Sequence, residues 1–299
     1  MKRLINILFF ILLPIFYLQA QESIDSSLTI SLATIATESV GNSYVTFPTD
    51  IGNMEPLWFE GNIIPNFILR TSKDARFIGV ITPQIIIRMY KEESLPVKTP
   101  SYMPQITLYY NVANKTSLNS SNLFFKLAHH SNGQDGNFYS SDGTINTDNG
   151  NFSTNYFELG FIKTKYSERH KAIQFFSASI EAHPPSLSYD QLVGLYSLYR
   201  LNTVFSIFRV PNIGNNEKKK KSSVSVRIKS NWMFGDFNNL ESYSINRLNI
   251  SLRFAYHPKF LEDVGLFVQY YNGYDYYNIY FNQRRSVLRF GIITEKLRF

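Results

Sequence analysis

The sequence predicts an all-β protein, a twelve-stranded antiparallel transmembrane β-barrel, and three observations lead to this prediction. Segments of alternating apolar and polar residues recur along the chain, each close to the 9–11 residues with which a tilted strand crosses a bilayer. Aromatic side chains make up 16 % of the residues and crowd the segment ends, as in the girdles of membrane barrels. Beyond the N-terminus there is no apolar run of about 20 residues, which excludes a bundle of membrane helices.

Composition excludes several other classes of protein. Charged residues reach only 18 % and the mean hydropathy is −0.17, while a hydrophobic share of 44 % argues against disorder. The absence of cysteine excludes a disulfide scaffold, a thiol nucleophile and a thiolate metal site. The net charge is +7, but the densest basic run, Lys218–Lys221, lacks interleaved aromatic residues. We therefore predict a solvated turn there and no nucleic-acid partner.

The N-terminus has the pattern of a secretory signal peptide. Lys2 and Arg3 form a basic start, residues 4–18 are almost all apolar, and Ala20 supplies a small residue for cleavage. An uncleaved anchor helix is the alternative, although the apolar stretch is short for one. We predict a signal peptide over 1–20, a periplasmic N-terminal segment over 21–41 and an outer-membrane barrel over 42–299.

Period-two alternation sets the strand prediction. A soluble sandwich would turn each apolar face inward, whereas a barrel turns it towards lipid, and the terminal Phe299 on a last alternating segment favours the barrel. The predicted strands are 42–48, 62–71, 75–89, 103–113, 121–131, 153–166, 170–182, 193–209, 222–234, 246–256, 264–272 and 285–297. With an even number of strands, the connections that follow odd-numbered strands face outside and are long, whereas those that follow even-numbered strands are short.

The strand at 121–131 ends in residues that can carry chemistry. Its apolar stripe of Leu123, Phe125 and Leu127 continues by parity to His129 and Ser131, whereas His130 points into the lumen. An imidazole two residues from a hydroxyl on the same face can take its proton. Polar residues that merely meet water and lipid phosphate are the alternative reading.

The next strand brings a third polar residue to this surface. Asn155 precedes its outward stripe with the same parity and can lie beside His129. An asparagine there can accept a hydrogen bond from the imidazole and fix its tautomer, as a carboxylate does in serine hydrolases. A neutral side chain suits the lipid boundary, where desolvating a charge is costly.

Three ordered sequence blocks resemble one family. They are His129-His130-Ser131-Asn132-Gly133, the stretch 269–274 with Phe281, Asn282, Gln283, Arg285 and Gly291, and the segment 94–105. Together they resemble outer membrane phospholipase A, a family of calcium-dependent barrels that hydrolyse acyl esters of phospholipids and lysophospholipids and are active as dimers. The resemblance implies phospholipase A1/A2 activity on substrate from the outer leaflet, with Ca²⁺ as cofactor and a homodimer as the active form.

The resemblance also assigns residues. It implies Ser131 as nucleophile, His129 as general base, Asn155 as the orienting amide and Ser94 as a calcium ligand reaching in from the partner. Calcium and a backbone amide near Ser131 or Asn132 would hold the oxyanion.

The calcium site departs from the family pattern. Gln134 stands where the family has arginine, and Asn151, with Ser153 nearby, takes the place of a second calcium serine. The 132–152 loop is longer than in the family, and its Asp135, Asp142 and Asp148 are further oxygen donors. Gln84 is either a dimer contact or a polar lumen or turn residue. The alternative functions are a catalytically inactive porin or adhesin and, ranked lower, a lipid A deacylase.

Overall fold

The computed structural model describes residues 30–47, 50–112, 118–210, 223–258, 260–261 and 263–294. The predicted signal peptide over 1–20, the basic run Lys218–Lys221 and the terminal Phe299 lie outside the described residues. In these ranges, no helix has the length and apolar character needed to cross a membrane.

One antiparallel sheet closes on itself to form the molecule. Both β1 and β2 pair with β14, and both β3 and β4 pair with β5, so each couple fills one position in a twelve-position wall. β1 contacts both β3 and β14 and thereby closes the barrel, which confirms the predicted fold. The strands are β1 Tyr44–Thr46, β2 Ile51–Gly52, β3 Leu57–Ile63, β4 Phe67–Leu69, β5 Phe77–Tyr90, β6 Ser101–Asn111, β7 Ser120–Ser131, β8 Ser153–Ser167, β9 Ala172–Ala182, β10 Tyr199–Arg209, β11 Val224–Phe234, β12 Leu248–Tyr256, β13 Val264–Tyr274 and β14 Arg284–Thr294.

The observed bounds depart from the predicted ones mainly at two places. The predicted strand 62–71 begins earlier, at Leu57, and its register with β5 shifts between Leu57 and Phe59. The predicted strand 193–209 begins only at Tyr199, because the chain before it forms a 3₁₀ turn at Asp190–Leu192 and reverses at Gly194, whose φ is +77°.

The barrel has an apolar exterior and a polar interior. Large side chains of the outward stripes are exposed, among them Leu123, Leu127, Leu159 and Phe161. The inward positions between them hold buried polar residues such as Asn122. An apolar band of this kind around a closed wall is the surface that barrels present to lipid.

The two ends of the barrel differ. We call the end with connections 91–100, 132–152 and 183–198 the outer end, and the end with 70–76 and 168–171 the inner end. An apolar cluster fills the lumen at the outer end, built from Phe138 and Phe152 of the 132–152 connection and from Tyr280 and Phe281. The long connections therefore fold over the outer mouth.

Within the described residues one α-helix, α1 (Leu32–Val40), occupies the lumen at the inner end. Ser31 caps it by accepting a hydrogen bond from the Thr34 N–H at 3.1 Å, and it ends at Gly41, whose φ of +100° favours glycine. Its apolar side chains pack into a cluster with inward residues of eight strands and turns, among them Ile78, Tyr109, Phe124, Ile162, Ile173 and Phe208. The periplasmic location predicted for 21–41 thus remains a prediction, and α1 within it plugs the inner end of the lumen.

Buried ion pairs line one side of the lumen. Arg88 contacts Glu60 at 2.7 Å and Asp275 at 2.8 Å, and Arg289 contacts Asp50 at 2.7 Å and Glu60 at 3.0 Å. These contacts tie the β3, β5 and β14 side of the wall to the 275–283 connection. Charges can be buried here because each has a hydrogen-bonded partner of opposite sign.

Candidate active site

His129 and Asn155 face lipid and contact each other at the outer end of adjacent strands. They lie directly opposite in the β7–β8 register. Nδ1 of His129 and Oδ1 of Asn155 are 2.9 Å apart, a hydrogen bond in which the ring N–H donates to the amide oxygen. The Asn155 amide group in turn donates to the Leu187 carbonyl at 2.7 Å. Because both ends of the amide are bonded, the His129 ring is fixed with Nε2 as the basic nitrogen.

Ser131 lies two residues beyond His129 on the same outward face. It is half-buried and lies opposite Ser153 of β8 and Tyr102 of β6. In the part of the chain that the structure describes, no hydrogen bond joins its hydroxyl to His129. Catalytic hydrogen bonds are commonly loose before substrate binds, so the spacing remains compatible with proton transfer.

His130 points the other way, as predicted. Its ring is buried in the lumen, where Nε2 lies 2.9 Å from the Ser101 hydroxyl and the ring packs edge-on against Phe152 at 4.9 Å between centroids. The ring thus contacts the lumen side of the wall, away from the lipid face that holds His129.

The chain leaves β7 through a tightly bonded turn. Asn132 is fully buried; its side chain donates to the Gly150 carbonyl at 2.7 Å and accepts from the Phe152 N–H at 3.0 Å. Its own N–H donates to the Phe152 carbonyl at 3.1 Å, so the amide of Asn132 itself is not available to an oxyanion. Gly133 follows with φ +66°, and within the described residues its N–H has no acceptor. That N–H, two residues from Ser131, is therefore a candidate donor to a ligand.

Three of the four predicted calcium ligands gather around the long outer connection. Gln134 and Asn151 stand at its two ends, which an isolated bridge between Gly136 and Gly150 holds together, and Ser153 lies opposite Ser131. All three are partly exposed. Ser94 is separate: it is exposed in the 91–100 connection with a left-handed φ of +64°. The structure therefore brings together Gln134, Asn151 and Ser153 but leaves Ser94 facing outward.

The donor set is compatible with a hard cation of modest affinity. Among the described residues no three His, Asp or Glu side chains come together as a metal cluster. Gln134, Asn151 and Ser153 offer neutral oxygens, the donor type that Ca²⁺ accepts together with carbonyls and waters. Of the three loop carboxylates, that of Asp142 is already engaged by Thr144, at 3.0 Å to the N–H and 2.7 Å to the hydroxyl, and these bonds lower the pKa of Asp142.

Gln84 lies in the lumen, which rules it out as a dimer contact. It faces inward on β5, where it donates to Asn62 at 3.0 Å. Of its predicted alternatives, the polar lumen residue is correct.

A buried polar network supports Asn155 from the lumen side. Thr154, its neighbour in the chain, contacts Nδ1 of His183 at 2.9 Å and the Ser188 hydroxyl at 2.8 Å. Nε2 of His183 contacts Glu181 at 2.7 Å, and Glu181 also accepts from Arg200 at 3.0 Å. Burial and the Arg200 charge lower the pKa of His183 despite the adjacent Glu181. The network holds the 3₁₀ turn Pro185–Leu187, whose last carbonyl binds Asn155.

Sequence reasoning missed these supporting residues. Glu181 and His183 alternate onto the inward face of β9 and its continuation, and parity alone could have placed them in the lumen. Their contact with β8 depends on register and on the 3₁₀ turn, which no local pattern in the sequence specifies.

A closed twelve-position antiparallel wall with an apolar exterior defines an outer-membrane β-barrel. No family model and no curated protein matches the sequence. Comparison with solved structures nevertheless shows that the chain has the fold of outer membrane phospholipase A.

Three solved structures show the likeness. An active-site mutant of the Escherichia coli enzyme, in which an asparagine is replaced by alanine, aligns with a TM-score of 0.57 and 12% identity, covering 92% of this chain and 94% of that chain. A Salmonella typhi outer membrane phospholipase dimer with bound calcium aligns with a TM-score of 0.57 and 12% identity, covering 91% of this chain and 94% of that chain. The E. coli outer membrane phospholipase A aligns with a TM-score of 0.55 and 12% identity, covering 92% of this chain and 94% of that chain.

Proposed function

We propose that the protein hydrolyses acyl ester bonds of glycerophospholipids, with phospholipase A1/A2 and lysophospholipase activity. The observation that carries the proposal is the 2.9 Å contact between His129 and Asn155 on the lipid-facing surface, with Ser131 two residues away. A nucleophile on the outside of the wall can be reached only by a substrate that arrives within the membrane or its headgroup region. The likeness to outer membrane phospholipase A supports the same class of reaction.

In the proposed reaction, Nε2 of His129 takes the proton of the Ser131 hydroxyl as the oxygen attacks the ester carbonyl. The tetrahedral intermediate collapses when His129 gives that proton to the leaving glycerol oxygen, which leaves the acyl group on Ser131. Water then attacks the acyl-enzyme with His129 again as base, releasing the fatty acid. Asn155 holds the imidazolium orientation through both half-reactions, and the Gly133 N–H donates to the oxyanion.

We infer that Ca²⁺ is the cofactor and that a homodimer is the active form. Gln134, Asn151 and Ser153 would hold the ion, together with Ser94 of the partner subunit, whose exposure in the 91–100 connection suits a contact between subunits. A bound divalent ion supplies positive charge for the oxyanion. The Salmonella relative, described as a dimer with bound calcium, supports both inferences.

Fatty-acid release from phosphatidylethanolamine micelles by the refolded protein tests the proposal. Ser131→Ala should abolish release, and EDTA should abolish it in the wild type. Ser121→Ala is the matched control, since Ser121 lies on the same outward stripe of β7 at its inner end. Equal fatty-acid release by wild type and Ser131→Ala would overturn the assignment of Ser131 as nucleophile. Release that survives EDTA would overturn the inference that Ca²⁺ is the cofactor.

The same assay separates the alternatives. Absence of release under dimer-promoting conditions would favour an inactive barrel, and release from lipid A but not from phospholipid would favour a deacylase. The plugged inner end of the lumen argues against an open porin.

A further inference from the structure

The positive charge of the protein is unevenly distributed. The outer connections 53–56, 91–100, 132–152, 183–198, 235–247 and 275–283 contain ten acidic residues but only three lysines or arginines. Among the described residues outside these connections, 17 are lysine or arginine and 8 are acidic. The basic excess of the described residues therefore lies away from the outer end.

Part of that excess lies on the lipid-facing surface at the inner end. Lys163 and Lys165 continue the outward stripe of β8 directly below Phe161. Arg209 ends the outward stripe of β10 and is exposed, and Lys171 is exposed in the turn between β8 and β9. We call these four side chains the cationic collar.

Register brings the collar residues together. Lys165 lies opposite Gln174 of β9, which lies opposite Ile207 of β10, two residues from Arg209. The Val210 N–H donates to the Lys171 carbonyl at 2.9 Å, which joins the turn to the end of β10. The collar thus spans two strand spacings, about 10 Å, with Glu168 as the one acidic residue of the 168–171 turn.

A further cation outside the collar, Arg76, lies at the inner end just before β5. Arg76 lies over the ring of Tyr110 at 5.3 Å and donates to the Tyr110 hydroxyl at 3.2 Å. Tyr110 is an exposed residue at the inner end of the β6 stripe. A guanidinium held on an aromatic ring at this level lies at the boundary between the apolar band and the headgroups.

On the other side of the barrel, the described strands carry no cation at their inner ends. The inner ends of β11, β12, β13 and β14 are Val224, Tyr256, Val264 and Thr294, none of which is cationic. The four collar residues lie on β8, on β10 and in the turn between β8 and β9, and β8 holds Asn155 at its outer end.

We propose that the cationic collar binds the phosphate groups of anionic glycerophospholipids in the leaflet at the inner end of the barrel. Lysine and arginine at the edge of an apolar band meet the headgroup layer, where their alkyl stems pack on the wall and their charges face phosphate. The collar would enrich anionic lipid beside β8, β9 and β10. The proposal does not depend on the enzymatic activity, since the collar lies at the opposite end of β8 from Asn155.

Electron spin resonance with spin-labelled lipids tests this binding. Wild-type protein is refolded into phosphatidylcholine bilayers, and the association of labelled phosphatidylglycerol is compared with that of labelled phosphatidylcholine. We expect a preference for phosphatidylglycerol that Lys163→Gln/Lys165→Gln lowers by about fivefold or more, because each cation near an anionic surface strengthens binding by about that factor. The control, Lys91→Gln/Lys98→Gln, removes the same charge at the outer end and should keep the preference.

The outcomes decide the proposal. Circular dichroism and heat-modified gel mobility first establish that each variant is folded. Absence of a wild-type preference, or an equal loss in both double variants, would overturn the collar. Inorganic phosphate, compared with chloride at the same ionic strength, should leave the preference unchanged; a loss specific to phosphate would show a site for free phosphate instead of lipid.

Discussion

Glu38 of α1 and Arg227 of β11 form an ion pair inside the barrel, with 2.5 Å between the carboxylate Oε1 and a guanidinium nitrogen. The same nitrogen lies 3.0 Å from the Glu38 main-chain carbonyl. Both side chains are buried. This pair, together with the apolar cluster around Ile35, fixes the helix in the lumen next to a cavity of about 410 Å³.

We expect Glu38→Ala to destabilise the folded barrel by about 3 kcal/mol, since removing one partner of a buried pair leaves the other charge uncompensated. Urea unfolding in detergent, followed by tryptophan fluorescence, measures the change. Glu93→Ala, in an exposed outer connection, is the control and should shift the free energy of unfolding by less than about 0.5 kcal/mol. Equal stability of wild type and Glu38→Ala would show that the pair does not hold the plug.

Asn155→Ala should lower kcat for ester hydrolysis by about a hundredfold, the scale of a positioned general base, with little change in KM. Asn155→Asp keeps an acceptor for His129 but cannot donate to the Leu187 carbonyl. It should therefore retain more activity than Asn155→Ala and less than wild type. Steady-state kinetics on mixed micelles measures both, and a full rate in Asn155→Ala would contradict the role of the amide.

His183 should make the barrel less stable in mild acid. Burial and Arg200 lower its folded-state pKa, whereas in the unfolded chain it titrates near about 6.5. Below about pH 6.5 the unfolded state therefore binds more protons than the folded state. The contribution of neutral His183 to the free energy of unfolding is complete above about pH 6.5. It is lost as the pH falls, by at most about 1.4 kcal/mol per pH unit. The test is to measure the free energy of unfolding between about pH 8 and 5 for the wild type and for His183→Gln. The free energy of the variant should depend less steeply on pH.

Gly160 should not tolerate alanine. An added Cβ would lie 2.5 Å from the Ser179 Cβ and 2.6 Å from the Ala178 carbonyl oxygen, and backbone cannot move away cheaply. We expect Gly160→Ala to cost about 1–3 kcal/mol of stability, the usual range for overpacking. At Gly61 the nearest atom is 3.7 Å away, so Gly61→Ala serves as the control that stays near wild type. Similar unfolding midpoints for the two variants would contradict the close approach.

Most of the wall was predictable because a strand in a membrane has a strict period. Parity alone assigned His129 and Ser131 to the lipid face and His130 to the lumen, and register places Asn155 opposite His129 as expected. Strand bounds depend on the same alternation, which is why β5 and β8 begin or end within two residues of their predicted limits.

What sequence reasoning could not supply depends on long-range contact. The position of α1 is set by Arg227, far along the chain, and by inward residues of many strands. The support of Asn155 by Leu187 depends on a short 3₁₀ turn that only tertiary packing specifies. The amide that is open to a ligand is another case. Asn132 uses its N–H within the turn and Gly133 does not, and a sequence motif cannot reveal this difference.

His129 and His130 lie on opposite faces of the sheet, and this restricts which insertions and deletions the strand can accept. Neighbours in the sequence, they are separated by the thickness of one sheet and experience different solvents. A single-residue deletion upstream in β7 would exchange their surroundings and invert every side chain beyond it. Insertions in the outer connections carry no such parity, so the connections can vary by any length, whereas the strands can lengthen or shorten only in steps of two.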